Sequence, residues 1–153
     1  MPDPRILHDL LSAATVNDDR VLFRLLSRDG RLHSLSAREV RRDVDATARA
    51  LLALGVERGT KLAIVAGTSY EWVLLDLAAV GIGAITVGVY PTTQPSELKS
   101  LLAYAECDAI FVQDPELARS LVLGPAGLPG PRTVVLMPAQ SRVEGGDLGQ
   151  VVR

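Results

Sequence analysis

Histidine and cysteine, the side chains most often used for metal binding and nucleophilic catalysis, are scarce in this sequence. There are two histidines, His8 and His33, and one cysteine, Cys107. No carboxylate or second imidazole stands at metal-ligand spacing from either histidine, so the sequence predicts no metal site and gives no basis for a Ser-His-Asp arrangement. The single cysteine excludes an internal disulfide, and its place between a helical and an apolar segment predicts a buried structural thiol.

Two glycine-containing segments carry residue types that bind phosphate in other proteins, but their positions do not suit that chemistry. Gly55–Lys61 contains glycine, threonine and lysine, yet it is too short for a phosphate loop and precedes a predicted strand. A phosphate loop follows a strand and opens a helix, so a helix end and a turn explain this segment. Gly81, Gly83 and Gly88 lie where a helix leads into a strand, which favours close helix–sheet packing over dinucleotide binding.

The segment that most favours ligand binding is Tyr90–Pro95, which follows an apolar run and contains two threonines and two prolines. Ligands of open α/β sheets collect beyond the carboxyl ends of the strands, so one of two interpretations is a loop that lines a ligand cleft. The alternative is an ordinary strand–helix loop in which Thr93 or Ser96 caps the next helix. Trp72, in the preceding helical segment, is predicted to be a core residue and not a platform for a ligand.

The elements that position this segment follow from the hydrophobic pattern. Asp29-Gly30 between two extended runs predicts an antiparallel hairpin, and Ser36 with Glu39 has the capping-box spacing of a helix that ends before Gly55. Apolar runs and helical patterns then alternate, with predicted strands at 61–66, 84–90, 109–112 and 133–137. The sequence therefore predicts an α/β fold: a partial doubly wound, mostly parallel sheet flanked by helices, with a small N-terminal antiparallel hairpin.

The chain is predicted to divide at residue 137. Residues 1–137 form an N-terminal α/β subdomain that begins with a short docking helix, in which Ile6 to Leu11 carry the apolar face. Residues 138–153 are a polar, glycine-rich tail or linker, and the Gly- and Pro-rich segment 124–131 is an exposed connector. A sheet that stops after its fourth strand is expected to leave an unpaired edge.

Composition limits the classes of partner. The chain has 153 residues, 48% of them hydrophobic and 22% charged, with a net charge of −2. This suits one domain and argues against nucleic acid or an anionic membrane surface as a partner. The sequence predicts no transmembrane segment and no signal region. A cytoplasmic protein is expected, and the strong preference for arginine over lysine indicates a bacterial genome of high GC content.

Several segments together resemble the opening of the AMP-forming adenylate synthetases. The similar stretches are 35–40, 50–64, 70–84, 89–93 and 105–112. Val89-Tyr90-Pro91-Thr92-Thr93 and Ala105–Val112 most closely resemble the long-chain fatty acyl-CoA ligase branch. The resemblance runs from about Val21 to Leu123, and its specificity comes from the order and spacing of the segments.

The resemblance implies a two-step reaction with fatty acid, ATP and CoA as substrates. The fatty carboxylate attacks ATP to give acyl-adenylate, and CoA thiolate then displaces AMP, with Mg²⁺ neutralising the triphosphate. The phosphate loop, the Tyr-Gly-x-Thr-Glu segment, the ribose-binding aspartate and the C-terminal lysine of the family are not present in this sequence. The 153 residues are therefore expected to bind no cofactor and to hold no catalytic residue by themselves.

Two features of this chain are implied to face CoA. One is Tyr90, Pro91 and Thr92, which follow the second predicted strand of the parallel sheet. The other is Arg119, the nearest match to an arginine that contacts the CoA phosphate in some relatives, although a solvated helix arginine is the alternative. The preferred hypothesis is thus an N-terminal segment of a fatty acyl-CoA ligase that is inactive alone. The alternatives are an interaction or oligomerisation module that associates through a sheet edge, and a small independent nucleotide-binding domain.

Overall fold

The computed structural model describes residues 19–26, 30–123, 133–137 and 150–152. The predicted docking helix, the 124–131 connector, most of the predicted tail and His8 lie outside these residues. None of the helices in the described ranges combines the length and the apolarity that crossing a bilayer requires.

A two-stranded antiparallel sheet precedes the main sheet, as predicted. Strand β1 (Val21–Leu26) pairs with β2 (Leu32–Ser36). Gly30 has a φ of +79°, the left-handed conformation that an Asp-Gly turn requires. The ring of Phe23 packs edge-on against the ring of Tyr70 with centroids 5.6 Å apart, and this contact joins the hairpin to the rest of the fold.

Helix α1 (Ala37–Ala53) carries local signals at both ends. The Glu39 amide donates to Ser36 Oγ at 3.3 Å, and the Ser36 amide donates to the Glu39 carboxylate at 2.8 Å. These two hydrogen bonds confirm the predicted capping box. Gly55 follows the helix with a φ of +82°, which confirms the predicted left-handed stop.

Replacing Ser36 with alanine should lower the free energy of unfolding by about 1 kcal/mol. The Glu39 amide would lose its acceptor, and the first turn of α1 would have one more unpaired N–H group. Urea unfolding of the wild type and the variant measures the difference. Ser36→Thr keeps a hydroxyl at the cap and should cost less, so equal destabilisation by the two variants would contradict the capping role.

The main sheet contains five strands among the described residues: β3 (Lys61–Val65), β4 (Ile85–Val89), β5 (Ala109–Val112), β6 (Thr133–Leu136) and β7 (Gln150–Val152). Their spatial order is β4-β3-β5-β6-β7, with the first four parallel and β7 antiparallel to β6. The sequence predicted the four parallel strands but not β7, because three residues are too few to show an alternating pattern. The expectation that the fourth strand leaves an unpaired edge is wrong, since β7 pairs with β6. Among the described strands, β4 lies at the other edge of the sheet.

Three further helices connect the parallel strands: α2 (Tyr70–Gly81), α3 (Pro95–Ala105) and α4 (Pro115–Leu123). Successive residues of a strand point to opposite faces, and each face has its own apolar core. Ile64 and Phe111 belong to the core that packs with α1 and α2, whereas Val65 and Ile110 belong to the core that packs with α3 and α4. Helices therefore cover both faces, which confirms the predicted doubly wound α/β fold.

The N-termini of α2 and α3 are capped differently. Ser69 Oγ accepts a hydrogen bond from the Trp72 amide at 3.2 Å and so caps α2. The N-cap of α3 is Gln94, and it makes no side-chain cap hydrogen bond. The expectation that Thr93 or Ser96 caps this helix is therefore wrong. Pro95 at the first helical position has no N–H group to satisfy, which reduces the need for a cap.

Candidate functional site

The carboxyl ends of β4, β3 and β5 lie side by side at one end of the strands, and we call this end of the sheet the carboxyl edge. Val65 pairs with Val89 on one side and with Val112 on the other. The loops that leave this edge are residues 66–69, 90–94 and 113–114. Because β3 lies between β4 and β5, the 66–69 loop runs between the other two. Ligands of open α/β sheets bind beyond this edge.

Tyr90, Pro91 and Thr92 form an exposed turn at the carboxyl end of β4. Tyr90 is 82% exposed, and the Thr93 amide closes the turn by donating to the Tyr90 carbonyl oxygen at 3.0 Å. Pro91 and Thr92 are also exposed, and β4 lies at the edge of the described sheet. The structure thus places these three residues beyond a strand end, as the sequence indicated, and their role in binding stays a prediction.

Arg119 lies on α4, the helix that follows β5, two strand positions from that turn. Its guanidinium is exposed and pairs with the Glu116 carboxylate. The neighbouring Asp114 accepts a hydrogen bond from the Glu116 amide at 2.8 Å, so a carboxylate already occupies the N-terminus of this helix. Among the described residues, no hydrogen bond or ion pair joins Arg119 to the turn at residues 90–92.

A side-chain bridge between two loops of the carboxyl edge is a feature that the sequence analysis missed. The Gly67 amide donates to Gln113 Oε1 at 3.3 Å, and the Gln113 amide donates to the Val65 carbonyl oxygen at 3.1 Å. The bridging residues are 46 positions apart. The sequence pattern does not tell which parallel strands are neighbours, so it held no signal for this contact.

A polar cluster around the buried carboxylate of Asp43 begins where the 66–69 loop enters α2. Tyr70 Oη donates to Asp43 Oδ2 at 3.0 Å, and Arg42 donates twice to Oδ1 of the same carboxylate, at 3.0 and 3.1 Å. Burial, and then the charge of Asp43, raises the pKa of Tyr70 well above its ordinary value. The hydrogen bond from the Tyr70 hydroxyl to Asp43 joins α2 to α1.

A second group of polar residues lies at the opposite, amino end of β3. Lys61 Nζ donates to Glu106 at 2.8 Å, and the Lys61 amide donates to Asp108 at 3.0 Å. The first of these bonds raises the pKa of Lys61 and lowers that of Glu106. Cys107 between the two acids is 2% exposed, and burial raises the pKa of its thiol. The predicted burial of Cys107 is confirmed, and its raised pKa disfavours the reactive thiolate.

The remaining candidate residues have structural positions. Trp72 is half-buried and packs against the core on the α1 and α2 face, as predicted. A Cβ added to Gly88 would lie 3.4 Å from the Trp72 ring, so Gly88 allows the close helix–sheet packing that the sequence indicated. His33 is exposed on β2.

The comparison with protein families decides which family these elements represent. A sequence model described as AMP-binding enzyme matches residues 11–148 of the chain. The chain belongs to the AMP-binding enzyme family. The resemblance inferred from the sequence is thereby confirmed.

Curated relatives of this AMP-binding enzyme chain include acyl-CoA ligases. Long-chain-fatty-acid–CoA ligase FadD15 of Mycobacterium bovis is 30% identical over 111 residues, which make up 69% of this chain and 18% of the relative. The mitochondrial medium-chain acyl-CoA ligase ACSF2 of Rattus norvegicus is 37% identical over 76 residues, which make up 50% of this chain and 12% of the relative. The chain thus spans less than a fifth of the length of these relatives.

Two solved structures share the fold of this chain. The Mycobacterium tuberculosis fatty acyl CoA synthetase matches with a TM-score of 0.73 and 14% identity, over 86% of this chain and 27% of that one. The anthranilate CoA ligase AuaEII, solved in complex with anthranoyl-AMP, matches with a TM-score of 0.70 and 24% identity, over 86% of this chain and 24% of that one. At these identities the likeness shows the fold alone.

The AMP-binding enzyme family implies Mg²⁺ as the ion that accompanies ATP. Within the described ranges, no three His, Cys, Asp or Glu side chains lie close enough together to hold a metal ion. At the carboxyl edge, Asp114 already accepts a backbone hydrogen bond and Glu116 is paired with Arg119. The described residues therefore do not fit this ion.

Proposed function

We propose that this AMP-binding enzyme chain is an N-terminal segment of an AMP-forming fatty acyl-CoA ligase, and that the longer protein prefers long-chain fatty acids. The alignment of 69% of the chain with FadD15 carries the proposal, and the family match over residues 11–148 supports it. The preference for long chains is proposed separately from the ligase activity, because the relative ACSF2 is named as a medium-chain ligase. A bacterial, cytoplasmic location stays a prediction.

The proposed reaction has two displacement steps. A carboxylate oxygen of the fatty acid attacks the α-phosphorus of ATP, and pyrophosphate leaves. The CoA thiolate then attacks the carbonyl carbon of the acyl-adenylate, and AMP leaves with the electrons of the broken C–O bond. Both steps require donors and cations that stabilise developing negative charge. The proposed share of the described residues is to build the carboxyl edge along which CoA approaches.

Within that edge, we assign CoA-facing positions to Tyr90, Pro91 and Thr92, with Arg119 as a further contact. The exposure of the turn and its place beside the open β4 edge support the first assignment. The assignment of Arg119 requires the CoA phosphate to compete with Glu116 for the guanidinium. Surface ion pairs of this kind contribute little free energy, so the exchange costs little.

An acyl-CoA synthetase assay tests the proposal. The protein is the complete product of the reading frame that contains this sequence, and the 153-residue chain serves as the comparison. We expect the complete protein to convert fatty acid, ATP and CoA into acyl-CoA, AMP and pyrophosphate, with a higher kcat/KM for long than for medium chains. We expect the 153-residue chain to form neither acyl-adenylate nor acyl-CoA.

Each alternative outcome has a separate meaning. Activity of the 153-residue chain alone would contradict the placement of the catalytic groups outside it. A preference for medium chains would retain the ligase and refute the long-chain preference. Failure of the complete protein to form acyl-CoA would favour the interaction-module alternative, which the position of β4 at the edge of the described sheet and the half-exposed Ile85 support.

A further inference from the structure

Two loops of the carboxyl edge lead to opposite faces of the sheet. The 66–69 loop leads from β3 to α2, which packs on the same face as α1, and the 113–114 loop leads from β5 to α4 on the other face. Neighbouring parallel strands with diverging connections leave a crevice between them, and doubly wound folds bind their ligands there. In this chain the crevice lies between β3 and β5, because the connection from β3 leads to β4 and the connection from β5 leads to β6, on opposite sides of the sheet.

Gln113 spans that crevice from the β5 side. Its backbone amide donates to the Val65 carbonyl oxygen at 3.1 Å, and its side-chain Oε1 accepts from the Gly67 amide at 3.3 Å. Gln113 therefore holds both the end of β3 and the loop that follows it. A Cβ added to Gly67 would lie 3.8 Å from Oε1, so the loop passes the carboxamide at contact distance.

The chemistry of the carboxamide fixes which atom faces the loop. A backbone N–H group needs an oxygen acceptor, so Oε1 and not the NH₂ group lies toward Gly67. Gln113 itself is half-buried. A single hydrogen bond at such a site contributes little to global stability, so its main effect is to fix the position of one loop relative to the other.

The place of this loop in the sheet gives the bond a functional meaning. The strand order β4-β3-β5 puts the 66–69 loop between the turn at residues 90–92 and the helix that carries Arg119. These flanking residues are the ones proposed to face CoA. We propose that Gln113 is a positioning residue for CoA binding, which holds the 66–69 loop through Gly67 and so fixes the surface between the flanking contacts. The inference rests on the proposed ligase function.

Kinetics of variants in the complete protein test this role. Gln113→Leu removes the acceptor with little change in volume, and we expect the KM for CoA to rise about three- to tenfold. Fatty-acid-dependent ATP–pyrophosphate exchange, which requires no CoA, should stay within about twofold of the wild type. Gln113→Glu keeps an oxygen for the Gly67 amide, and at a salt concentration that screens the added charge it should retain a KM for CoA near that of the wild type. Ser100→Ala is the matched control, because it removes one exposed hydrogen bond on α3.

The outcomes separate this inference from the function on which it rests. An active ligase in which Gln113→Leu leaves the KM for CoA unchanged overturns the inference and leaves the proposed function intact. Equal increases in Gln113→Leu and Gln113→Glu also overturn it, because they indicate direct contact of the NH₂ group with the ligand. A parallel loss of thermal stability and pyrophosphate exchange in Gln113→Leu overturns it in favour of a purely structural role. A wild-type protein that forms no acyl-CoA refutes the proposed function and the inference with it.

Discussion

Substituting Phe111 with alanine should lower the free energy of unfolding by about 3–5 kcal/mol. Phe111 is fully buried in the middle of the sheet, where it pairs with Ile64 on β3 and Val135 on β6, both also fully buried. Alanine would remove the ring and leave a cavity that the two neighbouring strands cannot close without losing their pairing. Urea unfolding of the wild type and the variant at neutral pH gives the difference.

The matched control is another aromatic residue outside the core. Tyr104 on α3 is 92% exposed, so Tyr104→Ala should change the free energy of unfolding by no more than about 0.5 kcal/mol. A similarly small effect for Phe111→Ala would contradict the packing of Phe111 between the sheet and helices α1 and α2. The expected loss is large on the scale of a domain whose total stability is about 5–15 kcal/mol.

Tyr70→Phe should destabilise the protein by about 1–3 kcal/mol at neutral pH. The substitution keeps the ring and its contact with Phe23 but removes the hydroxyl that donates to Asp43 Oδ2. Asp43 is 5% exposed, so water does not readily replace the lost donor, while Arg42 still binds only the other carboxylate oxygen. The difference in urea unfolding at pH 7 measures the cost.

The same pair of proteins gives a pH dependence whose sign is fixed by the Tyr70 pKa. The pKa of Tyr70 is higher in the folded state than in the unfolded state, where tyrosine has its ordinary pKa of about 10. Above that pH the folded state binds more protons, so the stability provided by this group falls as the pH rises. The advantage of the wild type over Tyr70→Phe should therefore shrink above about pH 10. A difference that stays constant from neutral to strongly alkaline pH would contradict the raised pKa, and Tyr104→Phe is the exposed control.

Local patterns predicted the parts of the fold whose causes are local. The capping box of Ser36 and Glu39 and the left-handed glycine Gly55 act within a few residues, and both are present as predicted. The order of the strands depends on contacts between distant segments, so the local sequence pattern does not predict it. Strand β7 was missed because its stability comes from pairing with β6, not from a pattern of its own.

The candidate site also combines features that local sequence predicts with features that depend on distant contacts. The exposed turn at Tyr90 was predicted because it follows an apolar run with prolines and threonines, which are readable in sequence. The bridge from Gly67 to Gln113 and the bond from Tyr70 to Asp43 join residues 46 and 27 positions apart. Each is a single polar contact that depends on how distant segments are placed in the folded chain. Nothing in the spacing of the residues distinguishes these side chains from ordinary surface polar residues.

The central position of β3 has a consequence for synthesis on the ribosome. It is the first strand of the main sheet to be made, yet its second neighbour, β5, begins only at Ala109. At a translation rate of about 5–20 residues per second, the nascent chain passes several seconds with one side of β3 unpaired. Its Leu62, Ala63 and Ile64, which are fully buried in the finished fold, then lack half of their partners. The pace of elongation, and not the chain's own folding rate, sets the earliest time at which this sheet is complete.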